Sequence, residues 1–198
     1  TSEEENDRLR AFVANGGTLL ATGTTSLFRP DGTTTGNFGL ADVFGVAHTD
    51  ARAKRFHYLS FEDRRWLVSS HAAAPFVKAT DARVLARIVE PLFDPDAEEY
   101  TSIHSNPPSV ATEYAGLTVH SFGNGQCLYL SSPVLSLQQD AQQAFGAWLF
   151  REYSPSGLVL DTNAPPCVEI TVNRSTVKDA YLIGFVNYQK ELPNVPVR

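Results

Sequence analysis

The sequence predicts an α/β domain on a parallel sheet, followed by a short antiparallel β segment. Three observations predict this. Residues 3–46 read as an amphipathic helix, a Gly-Gly stop, a short strand apolar on both faces, a long polar loop and a second short helix. Residues 138–153 carry a second helical stripe. After Ser154-Pro155-Ser156-Gly157 no helical period returns, and two alternating runs follow at residues 168–172 and 181–186. The first helix precedes its strand, so the chain enters an α/β unit at its middle. It begins at Thr1 and contains no Met. The expectation is therefore a piece of a longer protein, with an α/β domain over 1–156 that lacks its first strands and a second domain starting over 157–198.

Each element has a local cause. Ser2 and Glu5 match a capping box, and Glu3, Glu4 and Glu5 fill the positive end of the helix dipole. Leu9, Phe12 and Val13 fall on one helical face, and Asn15-Gly16-Gly17 ends the helix. Residues 18–22 (TLLAT) have the two-sided apolar character of an interior parallel strand. Residues 23–36 are Thr- and Gly-rich, with a Pro30-Asp31-Gly32 turn signal. Such a loop lies at the C-terminal end of a strand, where open α/β sheets place ligands and interfaces. Residues 38–44 make one or two helical turns.

The pattern over 47–77 is weak, with faint alternation at 56–59 and 66–68. Residues 83–90 alternate better and predict a strand closed by Pro91. Residues 94–99 are an acidic loop, and Asn106-Pro107-Pro108 is a rigid connector. Residues 117–122 and 126–131 predict two strands joined through Gly123-Asn124-Gly125, whose Asn-Gly pair is a strong hairpin signal. In the helix at 138–153, Ala141, Ala144, Phe145, Trp148 and Leu149 form the expected apolar stripe.

Composition bounds the function classes. Hydrophobic residues make up 42%, charged residues 19% and aromatics 11%, values of a folded protein. The net charge of -6, with no basic run longer than two, leaves no patch for phosphate contacts, so no nucleic-acid partner is expected. No apolar run is long enough to span a bilayer as a helix, so no membrane partner is expected. The compartment is unknown, with a bacterial cytoplasm favoured over secretion. Cys127 and Cys167 read as two thiols rather than a disulfide.

The search for chemistry finds little. Cys127 follows a hairpin turn, where a core thiol outweighs a nucleophile. No G-x-S-x-G elbow occurs. The five His residues (His48, His57, His71, His104 and His120) show no metal spacing, and residues 94–98 lack the Gly and distal Glu of a calcium loop. No catalytic residue, metal or cofactor is assigned. A (β/α)8 barrel needs about 250 residues of alternating strands and helices, and this chain has neither the length nor the alternation.

Three blocks carry a resemblance. They are Gly16-Gly17-Thr18-Leu19-Leu20-Ala21-Thr22-Gly23 with Thr25-Ser26-Leu27-Phe28 and Asp31-Gly32; Asn37-Phe38-Gly39-Leu40-Ala41-Asp42-Val43-Phe44-Gly45-Val46; and Phe122-Gly123-Asn124-Gly125-Gln126-Cys127-Leu128-Tyr129-Leu130. They resemble the beta-galactosidase trimerisation domain, the middle domain of family 42 glycoside hydrolases. The tail over 164–189 is similar to the start of a β-sandwich that follows it. The resemblance implies a flavodoxin-like, glutamine amidotransferase-like sheet with helices on both faces. It also implies catalytic carboxylates on an upstream barrel outside this chain.

The expected function is then a non-catalytic assembly domain of a glycoside-hydrolase-like, beta-galactosidase-like protein. Its partners would be further copies of the parent protein and a possible carbohydrate. The loop at 23–36 would wall a neighbouring carbohydrate site through Thr25, Ser26, Phe28, Arg29 and Asp31; a solvated connecting loop is the plainer reading of the same residues. Two alternatives stand beside it: an amidotransferase-like hydrolase using Cys127, and a carbohydrate-binding module with Trp66 as its platform.

Overall fold

In the computed structural model, residues 1–61, 67–94, 96–97, 106–136, 139–154, 160–165 and 167–188 are described. Trp66, His104 and parts of the 94–99 loop and the 154–157 boundary lie outside them. The chain divides into two units, Thr1–Pro155 and Ser156–Arg198.

The first unit opens with helix α1 (Glu3–Ala14), and the expected capping box is present. Glu5 N–H donates to Ser2 Oγ at 3.2 Å, and Ser2 N–H donates to Glu5 Oε2 at 2.8 Å. The reciprocal bonds satisfy two helix-end donors and hold the Glu5 carboxyl below its usual range, the Ser2 backbone bond contributing most. Strand β1 (Thr18–Thr22) follows, then the loop and the short helix α2 (Ala41–Phe44). Helix α2 is shorter than the sequence suggests, because residue 38 is irregular and residues 39–40 form a turn.

The unassigned stretch contains four strands: β2 (Val46–Ala53), β3 (His57–Phe61), β4 (Leu67–Ser70) and β5 (Ala74–Ala79). Then come β6 (Arg83–Pro91), β7 (Pro108–Phe122), β8 (Gly125–Leu130) and helix α3 (Asp140–Tyr153).

The main sheet has the order β1-β8-β7-β6-β3-β4, and β2 pairs with β5 as a separate antiparallel ribbon. Here the structure corrects the expectation of a parallel sheet. Among the described strands only β1 and β8 run parallel; the other pairs in the main sheet are antiparallel. The physical reason lies in the connections. A parallel pair needs a crossover of about a dozen residues, whereas two residues link β7 to β8. The two-sided apolar signal of β1 does mark the parallel pair. Leu19 packs on one core cluster and Leu20 on the other.

Strand β8 divides those clusters by alternation. Cys127 and Tyr129 join Val13 of α1 and Val43 and Phe44 of α2 on one face. Leu128 and Leu130 join Leu59, Ile88, Leu117, and Phe145 and Leu149 of α3 on the other. Helices thus cover both faces of an otherwise antiparallel, mixed α/β sheet.

Two helical faces differ from their sequence patterns. In α1, Val13 is fully buried while Phe12 is 52% exposed. In α3, Ala144 is exposed and Gln142 is buried instead. Gln142 can turn inward because its Nε2–H donates to Ser69 O at 3.0 Å.

The hairpin also shifts by one residue. Its turn is Gly123-Asn124, with Phe122 opposite Gly125. Gly123 has φ +59, and Asn124 is not among the positive-φ residues. A positive φ at the first central position only is the type II′ pattern, not the type I′ turn that Asn-Gly suggests.

In the second unit, β9 (Val168–Arg174) and β10 (Tyr181–Asn187) pair antiparallel. Tyr181, Leu182, Phe185 and Val186 of that hairpin are exposed.

Candidate functional site

The loop at 23–36 has an anchored root and a solvent-facing tip. At the root, Gly23 N–H donates to Leu130 O at 2.9 Å, and Tyr129 O–H donates to Gly23 O at 2.6 Å. Burial pushes the Tyr129 phenol above its ordinary value, so it stays a neutral donor. Phe38 and Phe44 pack on the Tyr129 ring with centroids 5.3 and 5.2 Å away.

At the tip, Phe28 bridges Thr34 antiparallel, Arg29 N–H donates to Thr33 O at 2.8 Å and Gly32 N–H donates to Arg29 O at 2.9 Å. With Gly32 at φ +83, Pro30-Asp31-Gly32 forms a three-residue hairpin loop.

The five candidate residues divide between building this loop and facing outward. Thr25 Oγ1–H donates to Thr22 O at 2.7 Å and staples the first turn. Ser26 is buried, with φ 60, a left-handed conformation rare outside glycine. Its Oγ accepts from Leu40 N–H at 3.2 Å and its carbonyl accepts from Gly39 N–H at 2.8 Å, so it latches the loop to the entry of α2. Asp31 Oδ1 accepts from Thr33 Oγ1–H at 2.7 Å and Thr33 N–H at 2.9 Å. These bonds, the hydroxyl's first, hold its carboxyl below the usual range. Phe28 (45% exposed) and Arg29 face solvent. The Arg29 charge adds a smaller part to the lowering at Asp31.

Phe28 is the crest between two clefts. One, of about 250 Å³, is lined by Arg29 together with Glu3, Asp7 and Arg10 of α1. Arg10 is fully engaged there. Its Nε–H donates to Asp42 Oδ2 at 2.8 Å, its Nη1–H to Asp7 Oδ1 at 2.8 Å and its Nη2–H to Gly39 O at 3.0 Å. The Arg10 bond holds the Asp42 carboxyl below its usual range.

The second cleft, of about 390 Å³, lies between the loop and the β2–β5 ribbon. His48, Asp50 and Arg52 of β2 line it opposite Phe28 and Thr34. Asn37 sets the spacing between loop and ribbon, because its Oδ1 accepts from both Phe38 N–H and His48 N–H at 2.9 Å. The sequence reading takes His48 only as one of five scattered histidines and does not single out Asp50 or Arg52. Their alternation, His-x-Asp-x-Arg, is the signal the sequence offers, and the bulge between His48 and Arg52 brings Ala51 to the same cleft.

Cys127 is placed as a core thiol, not at a surface cleft. It is fully buried, and burial pushes its thiol up to about 12. Its cross-strand partner His120 instead donates Nδ1–H to Val43 O at 3.0 Å. Native Cys127 is expected to resist iodoacetamide at neutral pH and to react at once in urea. Mass spectrometry of the alkylated native protein checks this, and rapid native labelling at Cys127 would refute the burial.

A different pair has the form of a nucleophile and base. His57 Nε2 lies 2.6 Å from Ser132 Oγ, and His57 Nδ1 lies 2.9 Å from Lys54 O. The carbonyl can only accept, so Nδ1 carries the proton and Nε2 accepts from the serine hydroxyl. Both residues are fully buried and neither lines the clefts described here. The pair therefore clamps the start of β3 to the turn after β8. The two lie 75 residues apart, and no motif marks them in the sequence.

No family model and no curated protein matches this chain. Solved structures do. The chain has the fold of a domain carried by glycoside hydrolases. It is similar to Gan42B, a GH42 beta-galactosidase from G. stearothermophilus, with TM-score 0.62 and 21% identity over 87% of this chain and 22% of that one. It is similar to the beta-galactosidase of Bacillus circulans sp. alkalophilus, with TM-score 0.59 and 24% identity over 84% of this chain and 23% of that one. Alpha-L-fucosidase isoenzyme 2 from Paenibacillus thiaminolyticus shares the fold over 96% of this chain and 29% of its own, with TM-score 0.72 and 17% identity. The chain thus spans between a fifth and a third of the length of these structures.

Proposed function

We propose that this chain is a non-catalytic assembly domain of a glycoside-hydrolase-like protein, and that its 23–36 loop walls a carbohydrate site on a neighbouring domain or subunit. The observation that carries this reading is the division of labour in the loop. Buried contacts of Ser26 and Tyr129 fix its root, while backbone bonds shape the tip and leave the Phe28 and Arg29 side chains facing solvent. An aromatic face and a guanidinium suit the C–H faces and hydroxyls of a sugar. The glycoside-hydrolase fold and the buried state of Cys127 and of the His57–Ser132 pair support the same reading. The trimeric arrangement named by the resemblance belongs to the proposal.

In a glycoside-hydrolase-like parent carrying this domain, as the proposal requires, Phe28→Ala and Arg29→Ala are expected to raise KM for a nitrophenyl galactoside roughly 3- to 10-fold with kcat little changed. Steady-state kinetics measures this directly. Sedimentation of the longer protein is expected to give an oligomer that deletion of this domain dissociates. If the longer protein and the isolated chain are both monomers, assembly fails as the function; if KM is unmoved in both variants, the walling role fails.

A further inference from the structure

The cleft between the loop and the β2–β5 ribbon is built unlike the one beside α1. In β2 the pairing runs from His48↔Val77 to Arg52↔Pro75, so three residues of β2 stand against one of β5. This bulge relaxes the ladder where side chains must be re-aimed. Thr49 fills the ladder gap, its Oγ1–H donating to Phe76 O at 2.9 Å, and His48, Asp50 and Arg52 all line the cleft.

Asp50 and Arg52 are exposed, and neither forms an ion pair with the other or with another described residue. His48 Nδ1 is buried with no hydrogen-bond partner, while the Phe38 ring fixes the imidazole edge-to-face at 5.6 Å. Facing these groups, Phe28 presents an aromatic ring and Thr34 a hydroxyl.

We propose that this cleft is a saccharide subsite belonging to the domain itself, sized for one or two pyranose rings. A carboxylate, a guanidinium and an imidazole that do not satisfy one another require a ligand offering both donors and acceptors, and vicinal hydroxyls do so. Phe28 supplies the apolar wall against which the C–H face of a pyranose packs. Asp50 opposes a purely anionic ligand, and one carboxylate with one imidazole is too few donors for a metal. The volume of about 390 Å³ falls in the range of small-ligand clefts. The subsite needs no neighbouring subunit, so it stands apart from the assembly role.

The test titrates the chain as it stands with D-galactose, D-glucose, L-fucose and, separately, sulfate, following the His48 ring protons by NMR. At least one sugar is expected to shift them with a dissociation constant on the order of 10 mM. Phe28→Ala and Asp50→Asn are each expected to weaken binding about fivefold or more with an unchanged melting temperature. No movement of the His48 signals by any sugar at about 100 mM would overturn the proposal. So would sugar binding indifferent to both substitutions, or sulfate binding that Asp50→Asn strengthens while sugars stay inert. The oligomeric state does not enter this readout, so failure here leaves the assembly test intact.

Discussion

Gly125→Ala is expected to lower the unfolding free energy by about 3 kcal/mol or more, because among the described glycines an added Cβ meets backbone most closely here. Gly125 opens β8 directly beneath the end of α1. A Cβ there would lie 2.2 Å from Val13 O, 2.3 Å from Gly17 O and 3.0 Å from Gly16 C. All three are backbone atoms, so no side chain can rotate away. Either α1 separates from the hairpin or the β1–β8 register shifts, and Gln126 N–H then loses its 3.2 Å bond to Gly17 O. Gly23→Ala is the control. Gly23 has φ +56, but a Cβ there meets nothing within 4 Å, so only the conformational cost of about 1 kcal/mol remains. Urea denaturation of both variants measures the difference. Equal midpoints would refute the close packing of α1 on the hairpin.

The second large effect is acid sensitivity at His57. Burial lowers its pKa, and the Lys54 carbonyl only partly offsets this. The unfolded chain therefore binds a proton more readily than the folded one. His57's contribution is fully present above its unfolded pKa of about 6.5 and declines as pH falls towards the folded value, by about 1.4 kcal/mol per pH unit. Protonation also gives Nε2 a hydrogen and turns the 2.6 Å bond from Ser132 into a donor–donor contact until the hydroxyl rotates.

His57→Leu should flatten this acid limb. At neutral pH it should cost about 2 kcal/mol, because Ser132 O–H and Lys54 O lose their buried partner. Adding Ser132→Ala to His57→Leu removes one orphan and should recover part of that loss. Melting temperatures from pH 5 to 8 decide the matter. An unchanged acid limb in His57→Leu would show that another group controls it.

The candidate site was legible only in part. The Gly and Thr content with Pro30-Asp31-Gly32 announced the loop, and the loop does present Phe28 and Arg29 outward. That Ser26 latches the loop could not be read, because its partner Leu40 lies 14 residues away, whereas the bonds of Thr25 to Thr22 and of Thr33 to Asp31 are local turn contacts that the residue types permit. The His48–Asp50–Arg52 face was present as alternation. It lay in a stretch where a bulge and mixed burial blur the period.

What the sequence determined by itself is local. The capping box, the end of α1 at its glycines and the hairpin's existence follow from contacts within a few residues, whose energetics the residue types carry directly, while the apolar run of β1 and the alternation of β9 and β10 mark strands whose partners lie farther along the chain. Tertiary structure decided the rest. It paired β1 alone in parallel, turned Phe12 outward and Gln142 inward, buried Cys127, and brought His57 to Ser132 across 75 residues. Those outcomes depend on which surfaces the chain has already covered, and a side chain's type does not specify its distant neighbour.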